Sequence, residues 1–293
     1  LSAVFLNLRT DFNKAFQAAP SQWTKVAMKV PSGTSQNDYK WLSAFPKMRR
    51  WIGDKQIKNL AAFSYTIVNN DWEVTIEVDR NHIEDDTLGI YGPQAQMAGF
   101  SAAQLPDEIV FALLDGAFSN LCYDGKAFCA DDHPVGTSVV DNKGTAALQA
   151  DTLAHAAASY GAARIALRKM KDDEGRPLDV DPNLLVVPPA LGDTAQILLT
   201  AERFGDDPNP YRGTAEVVVS PRLTSDTAWF LLDTRKPVKP LIYQERKAPV
   251  FVQQTGMDND DVFNRRVFKY GAEARAAGGY GFWQLAYGST GAG

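Results

Sequence analysis

Apolar and polar residues alternate most cleanly between Phe63 and Val78. Phe63, Tyr65 and Ile67 are separated by Ser64 and Thr66; after Asn69-Asn70-Asp71, Trp72, Val74, Ile76 and Val78 are separated by Glu73, Thr75 and Glu77. Successive strand residues face opposite sides, so this pattern predicts two strands with one apolar face, joined by a turn at Asn69-Asn70-Asp71. A lone two-stranded ribbon is marginal in water and must lay that face on something. The period then changes. Pro93 suits a first helical position, Met97 and Phe100 share a face, and Pro106 restarts the run with Asp107 and Glu108 near its positive end. Val110, Leu113, Leu114, Ala117, Phe118 and Leu121 recur at helical spacing, which predicts one long helix kinked near Pro106 or two in series.

A second helix is predicted over about residues 151–171. Leu153, Ala157, Tyr160, Leu167 and Met170 line one side, Arg164, Arg168, Lys169 and Lys171 complement its negative end, and Gly175 stops it. Short apolar runs follow at 184–187, 215–219, 228–232 and 249–252, broken by Pro, Gly and Asp. They predict a mixed sheet, with a further helix near 193–203 and a final strand over 278–287. The opening 39 residues, with a short helix around 11–19, Pro20 and a polar run at 31–37, predict an arm. No internal repeat is present.

Composition narrows the classes. The chain has 293 residues, 45% hydrophobic and 22% charged, which are globular proportions and suffice for one large or two ordinary domains. No stretch approaches the roughly 20 apolar residues of a membrane helix, and the first ten residues lack the apolar core of a signal peptide. Two cysteines cannot build a disulfide framework, which points to a reducing cytoplasm. Charge is distributed unevenly. Residues 1–58 hold ten basic and three acidic residues, net +7; residues 81–132 hold Lys126 against nine acidic residues, net −8. Such asymmetry suits a protein that binds copies of itself, and equally two solvated faces. Four of the six tryptophans, Trp23, Trp41, Trp51 and Trp72, fall among the basic residues of the first quarter. They are either anchors for a neighbouring surface or ordinary core packing.

Catalytic patterns are missing. His82, His133 and His155 share no metal-ligand spacing, and Cys122, Cys129 and His133 lack the paired cysteines and fourth ligand of a zinc site unless Asp131 or Asp132 supplies one. The chain has neither a nucleophile elbow nor a phosphate loop, and Gly278-Gly279-Tyr280-Gly281 lacks the strand–turn–helix context of a dinucleotide fingerprint. Glu84-Asp85-Asp86 suits a solvated helix start or an ionic contact better than a divalent cation. The expectation is a protein without cofactor, metal or catalytic residue. The Cys122–His133 region is where an enzyme would have to place its chemistry.

Six segments in order resemble the major head subunit of Mu-like tailed phages and prophages. They are Ala15-Phe-Gln-Ala-Ala-Pro-Ser-Gln-Trp23; Trp51-Ile-Gly-Asp54; Ile83-Glu-Asp-Asp86 with Gly89-Ile-Tyr-Gly-Pro93; Cys122-Tyr-Asp-Gly125; Asp131-Asp-His-Pro134; and Pro182-Asn-Leu-Leu-Val-Val-Pro188. The resemblance runs from about residue 10 to the C-terminus. It implies an α+β chain with the Hong Kong 97-type capsid fold. The implied layout is an N-terminal arm at 1–39, an extended loop at 40–80, a peripheral domain at 81–148 with a long spine helix, an axial domain at 149–239, and a return to the peripheral domain at 240–293. The extended loop's tip falls either at Asn69-Asn70-Asp71 or between Pro46 and Asp54.

The implied function is a head shell built from hexamers and pentamers of the chain itself. It would enclose double-stranded DNA without reading its sequence, with scaffold, portal and decoration proteins as further partners and no membrane. The protein would be assembled in the bacterial cytoplasm and end in the virion. Contacts between subunits are expected at Trp23, Trp41, Arg49, Arg50, Trp51, Trp72, Glu84, Asp85 and Asp86. An encapsulin-type compartment subunit of the same fold is the alternative, told apart by what its particles contain.

Overall fold

The computed structural model describes residues 2–43, 65–84, 90–172, 174–256 and 258–293. The chain opens with α1 (Ser2–Ala18) and the single turn α2 (Trp23–Val26), which runs directly into β1 (Ala27–Pro31). β2 (Gln36–Asp38), β3 (Thr66–Val68) and β4 (Asn70–Asp79) follow, then α3 (Arg80–Glu84) and the 24-residue α4 (Gly92–Asp115). Three short strands come next: β5 (His133–Val135), β6 (Ser138–Val140) and β7 (Lys143–Gly144). α5 (Leu153–Ala156) and α6 (Ala162–Arg168) are joined by a π-helical turn, Ala157–Gly161. Then come β8 (Leu184–Val187), α7 (Gly192–Thr200), the short pair β9 (Arg203–Phe204) and β10 (Asp207–Pro208), β11 (Glu216–Val219) and β12 (Trp229–Leu232). β13 (Leu241–Gln254), α8 (Asp260–Arg265), β14 (Val267–Tyr280) and β15 (Ala286–Ser289) complete the chain.

A four-stranded sheet in the order β1-β13-β14-β4 is built on the long antiparallel pair β13 and β14, with β1 parallel to β13. α1 and α4 pack together on this sheet. The reason is residue size. Ala95, Ala98, Gly99 and Ala102 line the face of α4 that meets α1 and the sheet, and a Cβ at Gly99 would stand 2.3 Å from the carbonyl oxygen of Phe12. Phe5, Leu8 and Phe12, spaced for one helical face, are buried there against Val78, Phe268 and Ala272. Burying side chains of this size stabilises by about 1.5–3 kcal/mol each. α4 runs through Pro106 without ending, although the proline withholds one backbone donor. Next to it the buried Asp107 carboxylate accepts the N–H groups of Gln22 and Trp23 at 2.9 and 2.7 Å, tying the free start of α2 to the middle of α4.

A second, five-stranded sheet has the order β11-β8-β12-β15-β7. β8 and β12 are buried at every position, which accounts for their unbroken Leu-Leu-Val-Val and Trp-Phe-Leu-Leu runs. α7 packs on β8 and β11, and α6 on β15. At the centre Trp229 is fully buried, and its indole N–H donates to the Ala146 carbonyl at 3.0 Å.

Three features differ from the sequence expectation. First, the period-2 strands exist but do not pair with each other. β3 pairs with β2 (Gln36↔Val68, Asp38↔Thr66) and β4 with β14 (Asp79↔Val267), so Asn69 is a crossover between sheets and not a hairpin tip. The crossover is held by buried polar groups. Asn69 donates to Ser32 Oγ and the Thr34 carbonyl, Gln244 donates to Asn69 Oδ1 and the Ile67 carbonyl, and the Tyr39 hydroxyl donates to Gln244 Oε1. The chain leaves from β2 and returns at β3, so the tip belongs to residues outside those described. Second, residues 1–39 are not a free arm, because α1 docks on α4 and β1 joins the sheet. Third, 278–287 is not one strand. β14 ends at Tyr280, a 3-10 turn spans Trp283–Leu285, and β15 enters the other sheet beside β12.

Candidate assembly surface

Of the expected contact residues, Arg49, Arg50, Trp51, Asp85 and Asp86 lie outside the described residues, and Glu84 is the last residue of α3. The remaining tryptophans divide. Trp23 and Trp41 are only partly exposed and are engaged within the chain. Trp23 meets Tyr243 at 4.7 Å between ring centroids, and Trp41 meets Tyr39 and Phe282 edge-on. Their rings belong to the main core, which corrects the expectation that they stand free for a neighbour. Trp72 differs. It is 37% exposed on β4, with its indole N–H fixed to the Ala276 carbonyl at 3.0 Å.

β4 is the outer strand of its sheet, and of its ten residues only Val78 is buried. Asp71, Glu73, Glu77 and Asp79 project from one face of it, all exposed. Beside Trp72 a groove runs between β4, β14 and α4, floored by Val74, Ala102, Leu105 and Ala272. Across the β4–β14 ladder, Asp71 faces Arg275 at 2.6 Å and Glu77 reaches Lys269 at 3.2 Å, but Glu73 lies directly opposite Glu273.

The region that could have held chemistry is a buried hydrogen-bonded clasp. Cys122 Sγ donates to Asp124 Oδ1 at 3.0 Å, Asp124 Oδ2 meets His133 Nδ1 at 2.6 Å, and His133 Nε2 meets Asn142 Oδ1 at 3.1 Å. Asn142 donates to the carbonyls of Phe128, Trp283 and Ala286, and Trp283 stacks on the His133 ring at 3.9 Å. The S–O and N–O separations are those of hydrogen bonds, shorter than the roughly 3.3–3.6 Å edges of a tetrahedral zinc shell. Burial pushes the Cys122 thiol up, and the neighbouring Asp124 carboxylate pushes it further, so it is not an activated nucleophile. Cys129 is fully buried and likewise pushed up by burial. Sequence reasoning singled out Cys122 and His133 but looked to Asp131 or Asp132. The carboxylate between them is Asp124, delivered by the turn at Gly125, whose φ is +79°. The Asp124-Gly125 dipeptide was the available signal.

The family model described as Mu-like prophage major head subunit gpT matches residues 1–160, 146–223 and 224–292. The chain is 33% identical over 286 residues to the major capsid protein of Escherichia phage Mu, covering 98% of this chain and 72% of that protein. It superposes on a chain of the procapsid of bacteriophage JBD30 with a TM-score of 0.60 at 35% identity, covering 98% of this chain and 74% of the other. It also matches the JBD30 capsid decorated with minor capsid protein trimers, with a TM-score of 0.63 at 32% identity over 73% of this chain and 93% of that one. The two-sheet α+β architecture with its long helix is the Hong Kong 97-type capsid fold. An outer strand with an acidic face, a core free of catalytic geometry and a match along the whole length agree: the chain belongs to the Mu-like prophage major head subunit family.

Proposed function

We propose that many copies of this chain close into a phage head, as hexamers and pentamers around double-stranded DNA. The observation that carries this reading is the family match, which runs from residue 1 to residue 292. The role is structural: the chain is a capsid component and not an enzyme. In this reading residues 1–39 form the arm segment, 40–80 the extended loop, 81–148 and 240–293 the peripheral domain, and 149–239 the axial domain. Two strands cross those bounds, since β4 joins the long-stranded sheet and β15 the five-stranded one. Scaffold and portal proteins are the further partners, with assembly in the host cytoplasm. A decoration protein is a third, supported by the minor capsid protein trimers on the related JBD30 capsid.

Mechanism in such a shell is geometric. Each contact is weak, the contacts are heterologous, and closure multiplies them. An overall net charge of −5 suits a wall around packaged DNA, because a strongly basic wall would bind phosphates along its length. Contacts between copies involve Trp72, and Arg49, Arg50 and Trp51 of one copy against Glu84, Asp85 and Asp86 of the next. Negative-stain imaging of the purified protein tests the reading. Shells or tubes containing nucleic acid support it; particles filled with protein cargo would favour a compartment of the same fold, and a monodisperse monomer at high concentration would overturn both.

A further inference from the structure

β4 pairs with β14 on one side only, and among the described residues no strand pairs with its other side. A ten-residue edge about 33 Å long therefore keeps outward N–H and C=O groups free for another extended segment. Its side chains carry a second signal. The β4–β14 ladder is built from complementary pairs, Asp71 with Arg275 and Glu77 with Lys269, on either side of one mismatch, Glu73 with Glu273. Lys247 answers Glu273 at 3.0 Å, but among the described residues the Glu73 carboxylate meets only the Thr75 hydroxyl. Like charges directly opposite one another destabilise a ladder, so this position wants a cation from elsewhere. Exposed Trp72 stands next to it and offers a ring face on which a guanidinium stacks well.

We propose that the β4 edge binds a second copy of this chain through the basic stretch 44–64, one of whose cations pairs with Glu73. Charge complementarity selects this occupant. Residues 44–64 carry Lys47, Arg49, Arg50, Lys55 and Lys58 against Asp54 alone, net +4; β4 carries Asp71, Glu73, Glu77 and Asp79 and no base, net −4. β2 and β3 form the stem from which this stretch departs, and it comprises the 21 residues between Ser43 and Tyr65. The inference rests on the shell reading and extends its acidic contact, because β4 runs straight into α3 and on to Glu84.

Two variants test it, and they separate the edge from the shell. Glu73→Lys supplies a cation opposite Glu273 within the subunit, so its melting temperature stays unchanged or rises. Its shells should nevertheless need about tenfold more protein to form. The second variant reverses Lys47, Arg49, Arg50, Lys55 and Lys58 to Glu and should assemble as poorly. A one-to-one mixture should assemble better than either alone, because each variant's altered element finds its complement on the other. Wild-type assembly by Glu73→Lys would overturn the proposal and leave the shell reading intact. A mixture no better than its components would overturn it too, since the basic stretch would then serve its own copy. If the folded wild type formed no shells, the shell reading itself would fall.

Discussion

The two sheets of this molecule solve opposite problems. In the five-stranded sheet β8 and β12 are buried at every position, whereas in the four-stranded sheet β4 is buried only at Val78. The first is a sealed core whose runs are apolar throughout. The second is one-sided, with alternation that leaves a row of carboxylates and an open edge to solvent. Cohesion of the subunit is concentrated in one region and association with other copies in the other, so substitutions should separate the two. The largest contrast is between two tryptophans. Trp229→Ala should cost about 3–5 kcal/mol and abolish a cooperative melt near the wild-type temperature. Trp72→Ala should cost at most about 1 kcal/mol and leave the circular dichroism melt nearly in place, while reducing the yield of sedimenting shells. If Trp72→Ala melted as early as Trp229→Ala, β4 would be core and the contrast would fail.

Next in size is the clasp, which joins the segment after α4 to the C-terminal strand. Asn142→Ala leaves the Ala130 N–H and three carbonyls short of a partner and should cost about 2–3 kcal/mol in denaturant unfolding. The clasp also predicts a pH dependence. Burial would raise the Asp124 pKa, but hydrogen bonds from His133, the Cys122 thiol and the Lys126 N–H outweigh it and hold the carboxyl below its ordinary value. A depressed carboxyl contributes stability above its unfolded pKa and loses it as pH falls through the folded one. Wild type should therefore lose stability between about pH 4 and pH 2. Asp124→Asn should start lower at neutral pH and lose less over that window. Parallel curves would show that other carboxylates carry the acid response.

Gly99 probes the junction between α1 and α4. A valine there would force its side chain into the Phe12 backbone, at a cost of about 1–3 kcal/mol. The loss should be local, with amide exchange quickening over residues 2–18 and staying slow in β8 and β12. Uniform quickening would mean that α1 belongs to the global unit.

What could be read from the sequence follows the same division. Continuous apolar runs located β8, β11 and β12 to within a residue, because full burial leaves no other pattern. β14 escaped notice for a physical reason. Its Gly-Ala-Glu-Ala-Arg-Ala-Ala-Gly-Gly stretch has poor strand propensity, yet small residues are needed where it is pressed between neighbours. A Cβ at Gly271 would meet the Val74 carbonyl oxygen at 1.8 Å, and one at Gly279 the Ile67 side chain at 2.2 Å. Alternation assigned the faces of β3 and β4 but not their partners, since period 2 carries no information about which strand lies alongside. The stripe of Phe5, Leu8 and Phe12 was present, but its receiving surface of alanines and a glycine lies some ninety residues away. The Glu73–Glu273 mismatch was out of reach for the same reason, because it exists only in the register of two strands two hundred residues apart.

The smallest effect per contact is expected where charge alone is changed. Arg49→Glu with Arg50→Glu removes two of the ten cations between residues 1 and 58 and touches none of the core clusters. A single exposed ion pair contributes about 0–1 kcal/mol, so the free subunit should fold and melt as wild type. Repeated around every contact of a closed shell, the same small loss multiplies, and sedimentation should show free subunits in place of shells. Adding Glu84→Lys and Asp85→Lys should restore part of the assembly if those acids face the basic stretch, and raising salt should weaken wild-type association in parallel. Rescue by Glu84→Lys with Asp85→Lys but not by Glu73→Lys would put the contact at the end of α3; the reverse would put it on the β4 edge. Normal assembly of the double glutamate variant at low salt would make the charge asymmetry a solvated feature, leaving cohesion between copies to apolar surfaces such as the one around Trp72.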